Sequence, residues 1–244
     1  MQNLSSKKLL VLEGNIGAGK STMLELIKRN LPVSIIPEPT DKWQNVNNND
    51  NLLDLFYKDT PRWAYTFQSY AFLTRVHSIL EHLLANPGQD LFILERSVYC
   101  DRFCFAKTCY EAGFMSPLEW SIYKDWFAWL VEHNYAPRPA GFIYLRVDPA
   151  TAYNRIKRRE RSEESSISLD YLTTLHNKHD NWLVHRKEPF VTLKNVPILV
   201  LDCNPEFEGD LVRQRELLEQ ISSFAQSLEN STKIPATSLP SVQF

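Results

Sequence analysis

Three of the chain's seven glycines, Gly14, Gly17 and Gly19, fall within six positions and are followed at once by Lys20, Ser21 and Thr22. A simple turn needs one or two glycines. A main chain that wraps around an anion needs more, because successive N–H groups must face inward with no Cβ between chain and ligand. The run Gly14-Asn15-Ile16-Gly17-Ala18-Gly19-Lys20-Ser21 fits G-x-x-x-x-G-K-S, a phosphate-binding loop, and it lies between an apolar strand pattern and a helical one, as that motif requires. On this reading the backbone of Gly14 to Thr22 cradles a triphosphate and the following helix adds its positive end. Lys20 reaches the β and γ phosphates, and the Ser21 hydroxyl ligates Mg²⁺. Two strand ends offer a carboxylate for the metal. Glu95 is favoured, because Glu95-Arg96-Ser97 also brings a cation for a moving phosphoryl group. Asp202, at the end of the last strand, is expected to close that strand, with a place near the adenine side left open.

These groups need strands that end together. The runs KLLVLEG, VSIIPEP, LFILERS, GFIYLRV and PILVLD are short and nearly all apolar, which suits strands buried on both faces of a parallel sheet with helical crossovers. The predicted fold is α/β, a five-stranded parallel sheet flanked by helices. A long helix is predicted from Pro61 for about six turns. Ser116, Pro117 and Glu119 form a capping box for another. A third is expected to start at an aspartate cap, Asp101, and to end at Gly113. QNVNNNDN, from Gln44 to Asn51, reads as a solvated loop.

At 244 residues, with 43% hydrophobic and 23% charged residues, the chain suits one domain, placed at 1–229, with a disordered tail at 230–244. A net charge of −2 argues against a nucleic-acid partner, and no run approaches the roughly 20 apolar residues of a membrane span. The start has no arginine-rich presequence, so a cytoplasmic protein is expected. Cys100, Cys104, Cys109 and Cys203 are expected to be buried, reduced thiols. The spacings Cys100-x3-Cys104-x4-Cys109 and His176-x2-His179-x5-His185 lack a matching second ligand set along the chain, so structural roles are expected. Asn177-Lys178-x-Asp180 imitates a guanine-reading motif but sits inside a helical pattern, and no D-x-x-G occurs, which argues against a regulatory GTPase.

The phosphate loop, the PEP of Pro37 to Pro39, RWAYTFQSYAFLTR, ERSVYCDRF, EWSIYKDW and RIKRRERSEE follow one another in the order and spacing of the deoxyribonucleoside kinases. Over roughly residues 8 to 225 the chain resembles that family, and most of all its deoxycytidine and deoxyguanosine kinase branch. The resemblance implies a P-loop kinase fold with an arginine-rich lid at about 155–168. It also implies transfer of the γ-phosphoryl of ATP or another nucleoside triphosphate to a deoxynucleoside 5′-hydroxyl, with Mg²⁺, in nucleotide salvage by a homodimer. A thymidine or nucleoside-monophosphate kinase of the same fold is the alternative, and a non-catalytic nucleotide-binding regulator is a second.

Site roles follow from the resemblance. Glu38 would be the general base, with Lys20, Glu95 and Arg96 completing the catalytic set. Tyr57 and Glu164 would hold the sugar. Gln68 would read the base, since one carboxamide both donates and accepts. Trp43, Phe67 and Phe105 would wall the ring. Arg75 and Asp101 would form an ion pair that crowds a thymine methyl, which favours deoxycytidine or a purine deoxynucleoside. Arg155, Arg159 and Arg161 of the lid would close on the donor phosphates. Glu160 departs from the pattern, which carries a small residue there.

Overall fold

A computed structural model describes residues 7–133, 137–187 and 191–231. Strands β1 (Lys8–Gly14), β2 (Ser34–Ile36), β3 (Leu91–Glu95), β4 (Gly141–Arg146) and β5 (Ile198–Asp202) form one sheet in the order β2-β3-β1-β4-β5. Every pairing is parallel. The apolar runs are explained by a core on each face. Leu9 and Val11 of β1 pack into one layer, whereas Leu10 and Leu12 pack into the other. Strand β3 does the same with Phe92 and Leu94 against Ile93, and β4 with Phe142 and Tyr144 against Ile143 and Leu145. This is the period-two alternation of a strand, hidden in the sequence because both faces are dry. The edge strands depart from the expected two-sided burial, β5 most, with Val200 42% exposed.

Helices α1 (Lys20–Asn30) and α10 (Leu211–Ser231) cover one face through Met23, Leu24, Ile27, Leu217 and Ile221. The other face is covered by α4 (Thr60–Ala85), α7 (Pro117–Glu132) and α9 (Leu169–His179), behind the short helices α2 (Thr40–Gln44) and α3 (Leu52–Lys58). Helix α4 runs longer than its pattern indicated, with Asp59 as its cap and proline in its first turn. The capping box on α7 is present in full. The asparagine-rich loop is pinched by a bridge between Val46 and Asp50, with Asn47 and Asn48 at positive φ.

One predicted helix start is corrected. Asp101 does not cap a helix: Ser97 does, accepting from the Cys100 N–H, and α5 (Val98–Cys100) continues through a π-helical turn at Asp101–Ala106 into α6 (Lys107–Glu111). Asp101 is thereby free to turn its carboxylate inward. Helix α8 (Pro149–Arg159) stops at Glu160, which has φ +51°, a left-handed cap that favours glycine or asparagine. The departure noted in the sequence is therefore a strained backbone position. The predicted tail lies outside the described residues from 232 onward, and α10 is helical through Ser231.

Replacing Ser116 by Ala removes both the cap and its reciprocal bond. It is expected to cost about 1 kcal/mol of unfolding free energy, read by urea denaturation; an unchanged midpoint would show that α7 is held by tertiary packing alone.

Candidate active site

In an open parallel sheet, ligands bind beyond the carboxyl ends of the strands, where the chain switches direction across the sheet. Here that place lies between β1 and its neighbours β3 and β4. Gly17 (φ +78°) and Gly19 (φ +87°) hold the loop after β1 in a left-handed shape. A Cβ on Gly17 would fall 2.5 Å from the Ala152 carbonyl oxygen, so that glycine also permits α8 to approach. Asn15 braces the loop: its Oδ1 accepts from the Ile16 N–H at 2.8 Å and its Nδ2 donates to the Leu172 carbonyl at 2.9 Å. The Lys20 ammonium lies along the loop, donating to the Asn15 carbonyl at 2.8 Å and the Gly14 carbonyl at 3.2 Å. Burial, then the nearby Arg96 charge, lowers its pKa to about 7.

Beside the loop runs a network of ions with Arg75 at its centre. Arg75 comes from the middle of α4 and is 1% exposed. It forks onto Asp101 through Nε at 2.7 Å and Nη2 at 3.0 Å, and Nη2 also reaches Glu38 at 2.8 Å. Its Nη1 donates to the Glu95 carbonyl at 3.1 Å. Arg96 Nε lies 3.3 Å from the same Glu38 oxygen, and its guanidinium stacks 4.8 Å from the Phe105 ring. Burial works against the Glu38 carboxylate, yet Arg96, Arg75 and Lys20 together hold it below the ordinary carboxylate range. Burial pushes the Asp101 carboxyl up, opposed by Arg75. Arg96 itself has φ +59°, a strained conformation for a residue with a side chain.

Most of the remaining predicted residues line the same cavity. Trp43 donates from Nε1 to Thr74 at 2.8 Å and meets Phe67 edge to face, while Phe56, which sequence reasoning missed, stacks on Phe67 at 4.6 Å. Gln68 is 1% exposed and its Nε2 makes no hydrogen bond among the described residues. Burial, then Glu164, raises the Tyr57 pKa, so its phenol remains a donor. Glu164 accepts two bonds from Arg159, one of them from Nε at 2.7 Å, and lies 3.8 Å from Arg161. Glu163, also missed, accepts from Gln44 at 2.9 Å and ties the segment after α8 to α2.

Not every predicted residue faces this cavity. Ala18 is fully buried in the core, Asn15 turns its side chain to α9, and Gly14 lies beneath the loop against Leu145. Arg155 is set in an adjoining groove with Arg158, Glu206 and Phe207, on the outer side of Gly17 and Gly19. No motif marks 206–208; only their place after β5 brings them there. Glu95 ends β3, next to β1, whereas Asp202 ends β5, two strands from β1, exposed and capping the Asn204 N–H at 3.0 Å. Ser21 and Glu95 both line the cavity, a hard-oxygen donor set that fits Mg²⁺.

A glycine cradle beside a polar, aromatic-walled cavity, with a carboxylate held between two guanidinium groups at their junction, defines a P-loop phosphotransferase. The deoxynucleoside kinase profile matches residues 10–226, and the chain belongs to that family. It is 40% identical to deoxycytidine kinase 2 of Gallus gallus over 237 residues, covering 88% of this chain and 89% of that one. Deoxycytidine kinase of Homo sapiens is 38% identical over 242 residues (91% and 92%). The mitochondrial deoxyguanosine kinase of Xenopus laevis is 36% identical over 251 residues (93% and 94%).

The low Lys20 pKa fixes a sign. Above about pH 7 the folded protein has shed a proton that the unfolded lysine keeps until about 10.5. Stability of the wild type should therefore rise relative to Lys20→Met between pH 7 and 10. A saturating triphosphate should abolish that slope. Parallel pH profiles for the two proteins would contradict the shift.

Proposed function

We propose that this deoxynucleoside kinase phosphorylates deoxycytidine or a purine deoxynucleoside at its 5′-hydroxyl, with Mg-ATP or another nucleoside triphosphate as donor. The observation that carries the substrate reading is the buried Gln68 amide, a donor with no partner among the described residues, set beside the aromatic walls and the Arg75–Asp101 pair. A nucleobase edge with adjacent acceptor and donor supplies what that carboxamide lacks. The Arg75–Asp101 pair fills the space that a thymine methyl would need.

The mechanism is largely one of placement. Tyr57 and Glu164 bind the sugar, so that the 5′-hydroxyl meets Glu38. That carboxylate is a weak base, since the surrounding cations hold it ionised, so it orients the hydroxyl and takes its proton late, as bonding to phosphorus develops. Arg96 neutralises charge on the moving phosphoryl group, while Lys20 and the loop N–H groups hold the donor end. Ser21 and Glu95 would hold Mg²⁺, which when bound would supply further charge neutralisation at the phosphates. Residues 1–229 form one kinase domain on this reading, with 155–168 as the lid. Arg159 and Arg161 exchange their contacts with Glu164 for the donor phosphates when the lid closes.

A homodimer is part of the proposal. Helix α7 exposes Leu118 (70%), Trp126 (56%) and Trp129 (46%), more apolar surface than a lone helix face usually leaves in water. The four buried, unpaired cysteines suit a reducing, cytoplasmic setting. Among the described residues no helix is long and apolar enough to cross a membrane.

Labelled ATP offered with four deoxynucleosides and four ribonucleosides tests the substrate class; a nucleoside monophosphate outcompeting all of them would shift the reading to a monophosphate kinase. Glu38→Gln is expected to lower turnover at least roughly 100-fold with nucleoside binding kept, and near-normal turnover would remove Glu38 from the base role. Arg75→Met combined with Asp101→Ala should gain thymidine phosphorylation; no gain would refute the selectivity argument.

A further inference from the structure

Behind Arg96, and outside the cavity, the fold assembles a group of side chains that the phosphotransfer reading does not use. Cys100 and Cys104, on the helix that follows β3, meet His179 from the end of α9, and their ligand atoms all lie within 4.8 Å of one another. All three residues are fully buried. Cys100 Sγ lies 3.4 Å from His179 Nε2. Zinc-to-sulfur and zinc-to-nitrogen bonds of about 2.3 and 2.0 Å in a tetrahedron place S and N ligand atoms about 3.5 Å apart. The observed separation, that of a thiol–imidazole hydrogen bond, is also one that a metal could bridge with little movement.

The histidine is oriented as a metal ligand would be. Its Nδ1 is 2.7 Å from the Leu175 carbonyl oxygen, which can only accept, so Nδ1 carries the hydrogen and Nε2 is the ring atom facing the sulfurs. Glu13 adds a buried carboxylate to the surroundings of the group. It is fully buried, its Oε1 accepts from the Ser97 hydroxyl at 2.6 Å, and its Oε2 has no hydrogen bond among the described residues. It is near enough for the charges of Cys104 and His179 to act on it. The backbone is adapted on both sides of the group. Cys104 lies within the π-helical turn Asp101–Ala106, and a second π-helical turn, Asp180–Val184, begins directly after His179. Widened turns of this kind are rare and gather at functional sites.

We propose that Cys100, Cys104 and His179 bind a thiophilic divalent d¹⁰ cation, zinc in the cell, as three protein ligands that leave a fourth position open. Two thiolates neutralise the cation, so the filled site adds no net charge to the core. Entry of the metal breaks one proton from each thiol, or one from the remaining thiol and one from the imidazolium where Cys104 and His179 have already exchanged theirs. Two protons leave for each ion bound in either case. The soft donors exclude Mg²⁺ and Ca²⁺ from this site, which keeps it separate from the oxygen donors Ser21 and Glu95. Its ligands are not residues assigned to nucleoside or phosphate, although Arg96 Nη1 donates to Cys100 Sγ at 3.7 Å, and metal content is read without any substrate, so the outcome is separable from the substrate reading.

The test is titration of the reduced, folded protein with Cd²⁺, followed by zinc analysis of protein equilibrated with Zn²⁺ and dialysed. A thiolate-to-cadmium ultraviolet band saturating at about one ion per chain is expected, with a matching zinc content. Both should be lost in Cys104→Ala and in Cys100→Ala and kept in Cys109→Ala and Cys203→Ala. Should the first two variants fail to fold, cadmium NMR of the wild type decides: a resonance in the range of mixed sulfur and nitrogen ligation supports the site, and one in the all-oxygen range overturns it. Absence of the thiolate band in the folded wild type, or its persistence in folded Cys104→Ala, also overturns it.

Discussion

The site depends on one buried cation. Arg75 sits in the core of the helical layer and would be unstable there alone, since a charge removed from water needs compensating charge and hydrogen bonds. It has both: Asp101 grips it with two bonds, Glu38 takes a third and the Glu95 carbonyl a fourth. Each partner comes from a different part of the chain, namely the turn after the third strand, the segment after the second and the end of the third strand. One guanidinium therefore fixes α4, the carboxyl edge of the sheet and the helix beginning at Val98 relative to one another. Removing either carboxylate would leave the cation only partly compensated, a loss of up to about 3–5 kcal/mol, the range for breaking a buried pair.

The same network joins structure to chemistry. Glu38 stays ionised because the cations that position it also stabilise its charge. Arg96 reaches it only by taking up a left-handed backbone conformation, held by its N–H donating to the Leu12 carbonyl at 3.0 Å and by the neighbouring Ser97 bond to Glu13. Strain of this kind costs about 1–3 kcal/mol and persists where surrounding bonds outweigh it. The glycine loop contributes the complementary half. It is shaped by Gly17 and Gly19, braced by Asn15, and ends at a lysine whose charge a polyanion would restore.

Much of this was legible in the sequence. The five apolar runs became five parallel strands, because a sheet covered on both sides leaves a signature of length and composition that short-range pattern retains. That the phosphate loop, Glu38, Gln68, Arg75 and Asp101 meet at one cavity was legible because these residues lie in motifs that follow one another in a family order. The helix start at Asp101 was not, because an aspartate before an amphipathic run looks like a cap until a buried arginine claims its carboxylate. Phe56 and Glu206 were missed for a different reason: each is brought to a cavity by packing between distant elements. The meeting of Cys100 and Cys104 with His179 likewise depends on two widened helical turns that no sequence period announces.

The central claim is that Glu38, fixed by Arg75 and Arg96, marks where the nucleoside alcohol faces the phosphate cradle. A crystal structure with a deoxynucleoside and a non-hydrolysable ATP analogue tests it most directly. The account predicts the 5′-oxygen within hydrogen-bond reach of Glu38, about 3 Å, the base edge on Gln68 and the triphosphate on the loop N–H groups. A nucleoside whose 5′-oxygen lies away from Glu38 while the triphosphate fills the cradle would contradict it.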